Sequence, residues 1–556
     1  MDTEGAISAS ALKGGSTDAD GTKVPGQTTI VTSPSTTAML IRLLALASIG
    51  ALTAPIYLAL MPLAEATDRS GGALAGGLLW PLMGLTALMV AAVALVWRTQ
   101  PAATRNWRWV ELGLILLVGV VLRAEVFGAP LALSRDAYRY AWDAQLLAHG
   151  LSPYTHTPLD PALAPLRDTH IWPNLRFRTV PTLYPPGAQA LYLLAHLVAP
   201  LNIYGIKAAM VVCDALSGLL TLALLRRRSL DLRRVILYWW APIPIVEFAY
   251  SAHVDAAAIL WTLAALLVNG QRWRGTRFLT GVLLGLATLT KLYPLLFVVA
   301  LIRRRDYSLL AGLLLTVALG YAPFVALGLG GGGFLGTYLS QRFIDQGILL
   351  QWLSLLVTLF TWSPPVLVFS EMAALAVLAL GVLLARWRLG LTPEAGVLVL
   401  SAAWVLLAPH LFPWYVAALL PFVALFLGRP HPHSLIPNLS PARRGERKGF
   451  VAEWRIPQTA PAFALAFWLF TLAMPFTYVI FAPGYPAGLF QWFFLAPFAV
   501  AATPLLTAEG RQHLVETLRR LFAPPTADEL RRCWQAWFPT IRLSALSFPR
   551  REGAGG

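Results

Sequence analysis

Residues Ser134 to Gln145 read Ser-Arg-Asp-Ala-Tyr-Arg-Tyr-Ala-Trp-Asp-Ala-Gln, a polar and aromatic block between two hydrophobic stretches. It carries two carboxylates, Asp136 and Asp143, seven residues apart, which share a face if the segment is helical. Tyr138, Arg139, Tyr140 and Trp142 surround them. Carboxylates that bind hydroxyls, set among rings that pack against C–H faces, are the equipment of a sugar site. The same residues also suit a solvated loop helix with Asp136 as its N-cap and its aromatics at the interface. The block runs on through Gly150-Leu-Ser-Pro-Tyr154 and closes at Leu183-Tyr-Pro-Pro186. Tyr154, Tyr184, Pro185 and Pro186 shape the loop rather than react, with Tyr184 counted among the substrate contacts.

Further candidates lie downstream. His253 and Asp255 mark a polar turn, where they contact substrate or where Asp255 simply caps the next helix. His-x-Asp also fits part of a metal site, but no third ligand stands nearby. Lys291 sits in an apolar run, where a buried ammonium costs roughly 2.5–3.5 kcal/mol. It therefore needs a partner: a structural acid, Glu247 or Asp214, or an anionic lipid phosphate that Tyr293 could also bond. Arg342 and Gln346 could hold the same phosphate, since arginine offers a planar fork to anionic oxygens, or Arg342 is an ordinary interfacial arginine. His410-Leu-Phe-Pro-Trp-Tyr415 offers a histidine to bind phosphate or relay a proton, with Trp414 and Tyr415 as contacts, or it forms an aromatic belt. Arg123 and Glu125 snorkel or pair with loop residues.

The elements that must position these residues are hydrophobic. The chain has 556 residues, 57% of them hydrophobic and only 13% charged, and its apolar runs reach the roughly 20 residues that cross a bilayer. An all-α polytopic membrane protein follows. The net charge of +16 does not indicate nucleic acid, because Lys and Arg lie in short runs between apolar segments, as cytoplasmic loops require. The two cysteines, Cys213 in a span and Cys533 in the basic tail, are not placed to pair.

In order, 1–37 is a disordered tail, the first apolar stretch begins too far from the terminus and is too long for an ordinary cleaved signal peptide, and 38–428 is a transmembrane core with an outer loop at 129–204. Residues 429–456 form a basic cytoplasmic loop, 457–508 a transmembrane hairpin and 509–556 a cytoplasmic tail with a surface helix at 511–522. Spans are expected at 39–63, 73–96 and 110–127, with a turn at Glu65 to Arg69 between the first two. Residues 187–199 are too short to span and lie in the outer interface. Spans follow at 206–225, 235–250, 256–268, 309–327, 364–384, 395–407, 412–427, 462–481 and 489–506, with a second interfacial or re-entrant piece at 348–362. Residues 278–302 form a broken hairpin folding near Lys291-Leu-Tyr-Pro294, because proline disfavours helix there. That makes about twelve spans, by this reading. The arginine clusters put both termini inside and Asp136 outside, in the cell (inner) membrane.

The stretch from Ser134 to Pro186, of the kind D-x-Y-R-Y-x-W-D-G, G-x-x-P-Y and Y-P-P, resembles the first extracytoplasmic loop of the GT-C membrane glycosyltransferases, in particular their bacterial mannosyltransferase-like branch. Ala144 replaces the glycine of that pattern. The resemblance weakens after Pro186 and does not cover the tails. It implies a GT-C-like bundle with interfacial helices in the first outer loop. It also implies inverting transfer of a hexose, mannose first, from a polyprenyl-phosphate sugar to a lipid or glycan acceptor on the outer face. Matched residue to residue, the family's catalytic base falls on Asp136. Lys291, Tyr293, Arg342 and His410 would then face the donor phosphate, while Tyr138, Arg139, Tyr140, Asp143, Tyr184, His253, Asp255, Gln346, Trp414 and Tyr415 contact substrate. No cofactor is required: a lipid phosphate is already a fair leaving group, so a divalent metal is possible but not obligatory. A flippase or transporter of a lipid-linked sugar is the competing class, since it explains intramembrane charge and broken helices equally well. A non-catalytic envelope scaffold is the third.

Overall fold

The computed structural model describes residues 36–98, 105–328, 364–408, 411–427, 460–480 and Gln512, and every regular element among them is helical. The expected segments at 348–362, 428–455, 489–506 and 511–522, Gln512 apart, lie outside the described residues.

The first helix, α1 (Thr36–Arg69), has 34 residues. At 1.5 Å per residue it is about 50 Å long, well beyond a hydrocarbon layer of about 30 Å. Its last turns therefore run past the apolar zone. The turn expected at Glu65 to Arg69 is helix instead, because nothing in Glu65-Ala-Thr-Asp-Arg69 breaks one and Glu65 pairs with Arg69 one turn on. The chain reverses only at Gly71 and Gly72, both at positive φ. A short 3₁₀ turn leads into α2 (Leu79–Arg98), and α3 (Arg105–Phe127) follows. The outer loop holds α4 (Asp136–Ala148) and α5 (Pro186–Val198). Helix α5 has 13 residues and leaves Leu194, Leu197 and Val198 exposed, which suits a helix lying along the membrane surface. Then comes α6 (Ile203–Arg227).

Residues 235–250, expected to be one span, are broken. They form a helical turn at Ile236–Trp239, a second at Pro242–Pro244 and a π-helical turn at Ile245–Tyr250. Pro242 and Pro244 supply no N–H to an α-helical ladder, and two of them one residue apart favour a break here. The segment meets α7 (Asp255–Asn269) at 118°. Helix α8 (Thr276–Thr290) ends where expected: Lys291 is extended, and a 3₁₀ turn at Tyr293–Phe297 and a helical turn at Val298–Leu301 follow. The rest are α9 (Tyr307–Leu327), α10 (Pro364–Arg388), α11 (Pro393–Leu407), α12 (Leu420–Phe426) and α13 (Ala460–Ala473), with short turns at Pro413–Val416 and Thr477–Ile480.

Among the described residues five helices are long and apolar enough to span, or six with the bent pair. Proline and charge shorten the others. Thr276–Thr290 and Pro393–Leu407 have 15 residues each, and α3 carries Glu111, Arg123 and Glu125.

Helix α8 packs tightly on α9, where a Cβ on Gly281 would lie 2.0 Å from the Leu309 carbonyl oxygen and one on Gly312 2.2 Å from that of Phe278. Small residues let membrane helices approach in this way, and the approach fixes the Lys291 break against the bundle.

Charges gather at opposite ends. At one end Arg42 and Arg233 share Glu111, Arg233 also holds Asp231, Arg228 pairs with Glu394, and Arg277 pairs with Asp306. At the other end Asp68, near the end of α1, binds Arg135 and Arg176 of the outer loop. Arg123 pairs with Asp214 in the interior and lies over the Trp239 ring, so it neither snorkels nor reaches the loop.

Candidate active site

Asp136 opens α4, which follows Arg135 at the N-cap position rather than using Asp136 itself as the cap. The Asp136 amide donates to Ser134 Oγ at 3.3 Å, and Arg135 is anchored on Asp68. The carboxylate is free to turn inward. Tyr184 Oη donates to Asp136 Oδ2 at 3.2 Å. Burial pushes the Asp136 carboxyl above its ordinary range, while the nearby Lys291 charge and the Tyr184 hydrogen bond pull it back. Its side chain is still 24% exposed, so an incoming hydroxyl has a path to it.

The second acid of the motif has a different environment. Asp143 is fully buried, pairs with Arg139 at 2.8 Å, and accepts from Thr182 and from Gln189 Nε2 at 3.1 Å. Arg139 Nη1 donates to the carbonyls of Phe177 and Val180. This network ties α4 to the end of the loop and to α5. Arg139 and Asp143, both expected among the substrate contacts, have these internal partners.

Aromatic rings hold the loop against the bundle. Tyr140 stacks on Tyr192 at 4.3 Å and meets Tyr184 edge-on at 4.8 Å. The Tyr154 hydroxyl donates to the Tyr184 carbonyl at 2.7 Å. Tyr138 is half-buried and packs on the main core.

Lys291 reaches the same point from the bundle. Its Nζ lies 3.2 Å from Asp255 Oδ2, 5.5 Å from the Tyr184 ring and 5.2 Å from the Tyr415 ring. Asp255 at the start of α7 is therefore its acid. Glu247 and Asp214, the acids named from sequence, are engaged elsewhere: Glu247 with Tyr478 and Asp214 with Arg123 and Tyr238. A cleft opens beside Lys291, lined by Tyr184, Pro185, Tyr293, Trp404 and Tyr415 among others. Tyr293 stacks on Trp404, and one wall is thus flat and aromatic.

His253 is fully buried, with its ring stacked 3.7 Å from Trp414. Nδ1 faces Asp136 Oδ2 at 3.9 Å and Nε2 faces Glu247 Oε2 at 3.5 Å. Arg342, Gln346 and His410 lie outside the described residues. No group of three His, Cys, Asp or Glu side chains that could hold a metal occurs among the described residues.

Sequence reasoning missed several members. Tyr192, Trp404 and Tyr478 carry no local signal, because ordinary aromatic residues in apolar runs read as packing. Glu247 did carry one: an acid in an intramembrane run is a functional candidate by default. It was read only as a partner for Lys291.

Asp136, Tyr184, Lys291 and Asp255 thus assemble four polar groups from an outer-loop helix, the loop's end, a helix break and a bent span. Such a site can accept a proton at one end and neutralise an anion at the other. No curated protein matches the chain. Residues 183–412, which include Tyr184, His253, Asp255 and Lys291 but not Asp136, match the model of Glycosyltransferase family 87, so this all-α polytopic membrane protein is similar to a family of the GT-C superfamily, whose helical-bundle fold it shares.

Proposed function

We propose that the protein is a membrane glycosyltransferase that moves a hexose, mannose first, from a polyprenyl-phosphate sugar to a lipid or glycan acceptor, with inversion. The observation that carries the reading is the double role of Tyr184. Its hydroxyl bonds Asp136 while its ring faces Lys291, so a proton acceptor stands behind the Tyr184 wall of the cleft that Lys291 lines.

In the reaction, the acceptor oxygen attacks the anomeric carbon from the face opposite the phosphate. The new C–O bond forms as the bond to the phosphate oxygen breaks, and that oxygen keeps the electron pair. Asp136 takes the hydroxyl proton, a step that contributes about 10²–10⁴-fold. Lys291 stabilises the charge growing on the departing phosphate, an interaction that strengthens in the transition state. Asp255 holds Lys291 in place beforehand, and Tyr293, Trp404 and Tyr415 form the wall against which sugar and lipid pack.

The concentration of paired arginines at the end of the bundle away from Asp136 supports an extracytoplasmic site, since basic loops stay in the cytoplasm. A flippase would place its charges in a midplane cavity between two repeats. Convergence of the motif loop and Lys291 on one cleft favours the transferase.

The test incubates purified protein with a panel of radiolabelled polyprenyl-phosphate hexoses and a membrane lipid extract. Label should pass from one donor into a new lipid or glycan product with wild type and not with Asp136→Asn. Label that crosses a vesicle bilayer without joining an acceptor would assign the chain to transport.

A further inference from the structure

Behind Asp136 lies a chain of polar groups that a simple base does not need. Each nitrogen of the buried His253 ring lies near a carboxylate, Asp136 at 3.9 Å and Glu247 at 3.5 Å, and neither has a hydrogen-bond partner among the described residues. Catalytic hydrogen bonds are often long in an empty site and tighten when substrate binds. Glu247 belongs to the π-helical turn Ile245–Tyr250, and both its oxygens accept from the Tyr478 hydroxyl, at 3.0 and 3.1 Å. Such turns concentrate at functional positions. Trp414 covers the imidazole face, and Phe412 stacks on Trp414 in turn, at 4.6 Å. The ring is therefore held between Trp414 and two acids, with one carboxylate near each nitrogen.

We propose that His253 is a positioning residue and proton acceptor behind Asp136, with Glu247 fixing its tautomer. The inference rests on Asp136 being the base. Neutral His253 carries its hydrogen on Nε2, toward Glu247, and presents the Nδ1 lone pair to Asp136. When Asp136 Oδ2 takes the acceptor proton, that proton passes to Nδ1. The imidazolium then lies between Asp136 and Glu247, and Asp136 is again an anion. After product leaves, the proton returns through Asp136 to solvent. Nothing is oxidised, and the phosphate departs with its electron pair to Lys291.

Among the described residues, the charged and titratable groups around this ring are Asp136 from α4, Glu247 from the π turn, Tyr478 beyond α13, Tyr184 through Asp136, and the Lys291–Asp255 pair. This arrangement gives the ring a readout that packing alone would not have. A ring already protonated cannot accept, so its contribution disappears as pH falls.

The experiment measures kcat and donor KM against pH for the full-length wild type, His253→Gln and Glu247→Gln. His253→Gln should lower kcat about 10- to 100-fold at about pH 8 with donor KM unchanged, and the deficit should shrink as pH falls. Glu247→Gln, which leaves the ring in place, should lower kcat less and move the acid limb to lower pH. It also reads the chain if His253→Gln fails to fold. A deficit constant across pH, or an unmoved limb in Glu247→Gln, would overturn the proposal. Asp136→Asn is assayed alongside. If it turns over normally, the base assignment fails by itself, whatever His253 does.

Discussion

Lys291 Nζ lies 3.2 Å from Asp255 Oδ2, where an extended residue interrupts α8 and a bent span begins α7. The pair is largely shielded, with the lysine side chain 15% exposed and the acid 1%. Removing one member of such a pair strands the other, at about 3–5 kcal/mol. Lys291→Met and Asp255→Asn should therefore each lower the melting temperature. The double variant should recover it, because no uncompensated charge remains. Donor affinity separates the roles: it should stay lost in the double variant if Lys291 holds the phosphate. Recovery of both would make the pair purely structural.

Asp136→Asn should express, fold and bind donor, yet turn over about 10²-fold more slowly or worse, because an amide cannot accept the proton. Asp255→Asn is the comparison. Near-normal turnover in the first with complete loss in the second would move the base to Asp255.

The environment of Asp136 also fixes a pH dependence. Burial raises its folded-state pKa, so turnover should fall on acidification at a pH above the ordinary aspartate value of about 3.9. The sign for stability is the reverse of the usual carboxylate case. With the folded value above the unfolded one, the folded state binds the proton more tightly. Its stabilising contribution is complete below the unfolded value and is lost as pH rises through the folded one. Asp136→Asn should therefore melt no lower than wild type at neutral pH, and melting curves from about pH 4 to pH 8 would show it. A neutral-pH loss confined to this variant would mean that the charged form is stabilised.

Asp143→Asn should behave oppositely. It leaves Arg139 buried without its acid, and the loop tie through Thr182 and Gln189 weakens. A loss of about 3–5 kcal/mol is expected, seen as earlier unfolding and faster proteolysis of the outer loop. Unchanged stability together with a raised donor or acceptor KM would return Asp143 to the substrate.

The sequence by itself determined the solvent of this protein and the character of its first loop. Apolar runs of spanning length demand helices, since a lipid-facing backbone must satisfy itself. Pro294 after Lys291 marked the break in α8. The Ser134 to Gln145 block announced a helix with two acids, and it is one. Its spacing could not tell the two acids apart. Seven residues bring them to similar helix faces, yet only tertiary contacts gave Asp143 an arginine, a threonine and a glutamine and left Asp136 a tyrosine and a histidine. Pairing over long separations was likewise invisible. Sequence offers Lys291 the acids Glu247 and Asp214, yet it meets Asp255, which begins α7 after the 118° bend. Local chemistry depends on which side chains are near in sequence. A buried charge has its partner chosen by how the backbone brings distant segments together, because an unpaired charge in a low-dielectric interior is costly and only a close opposite charge offsets it.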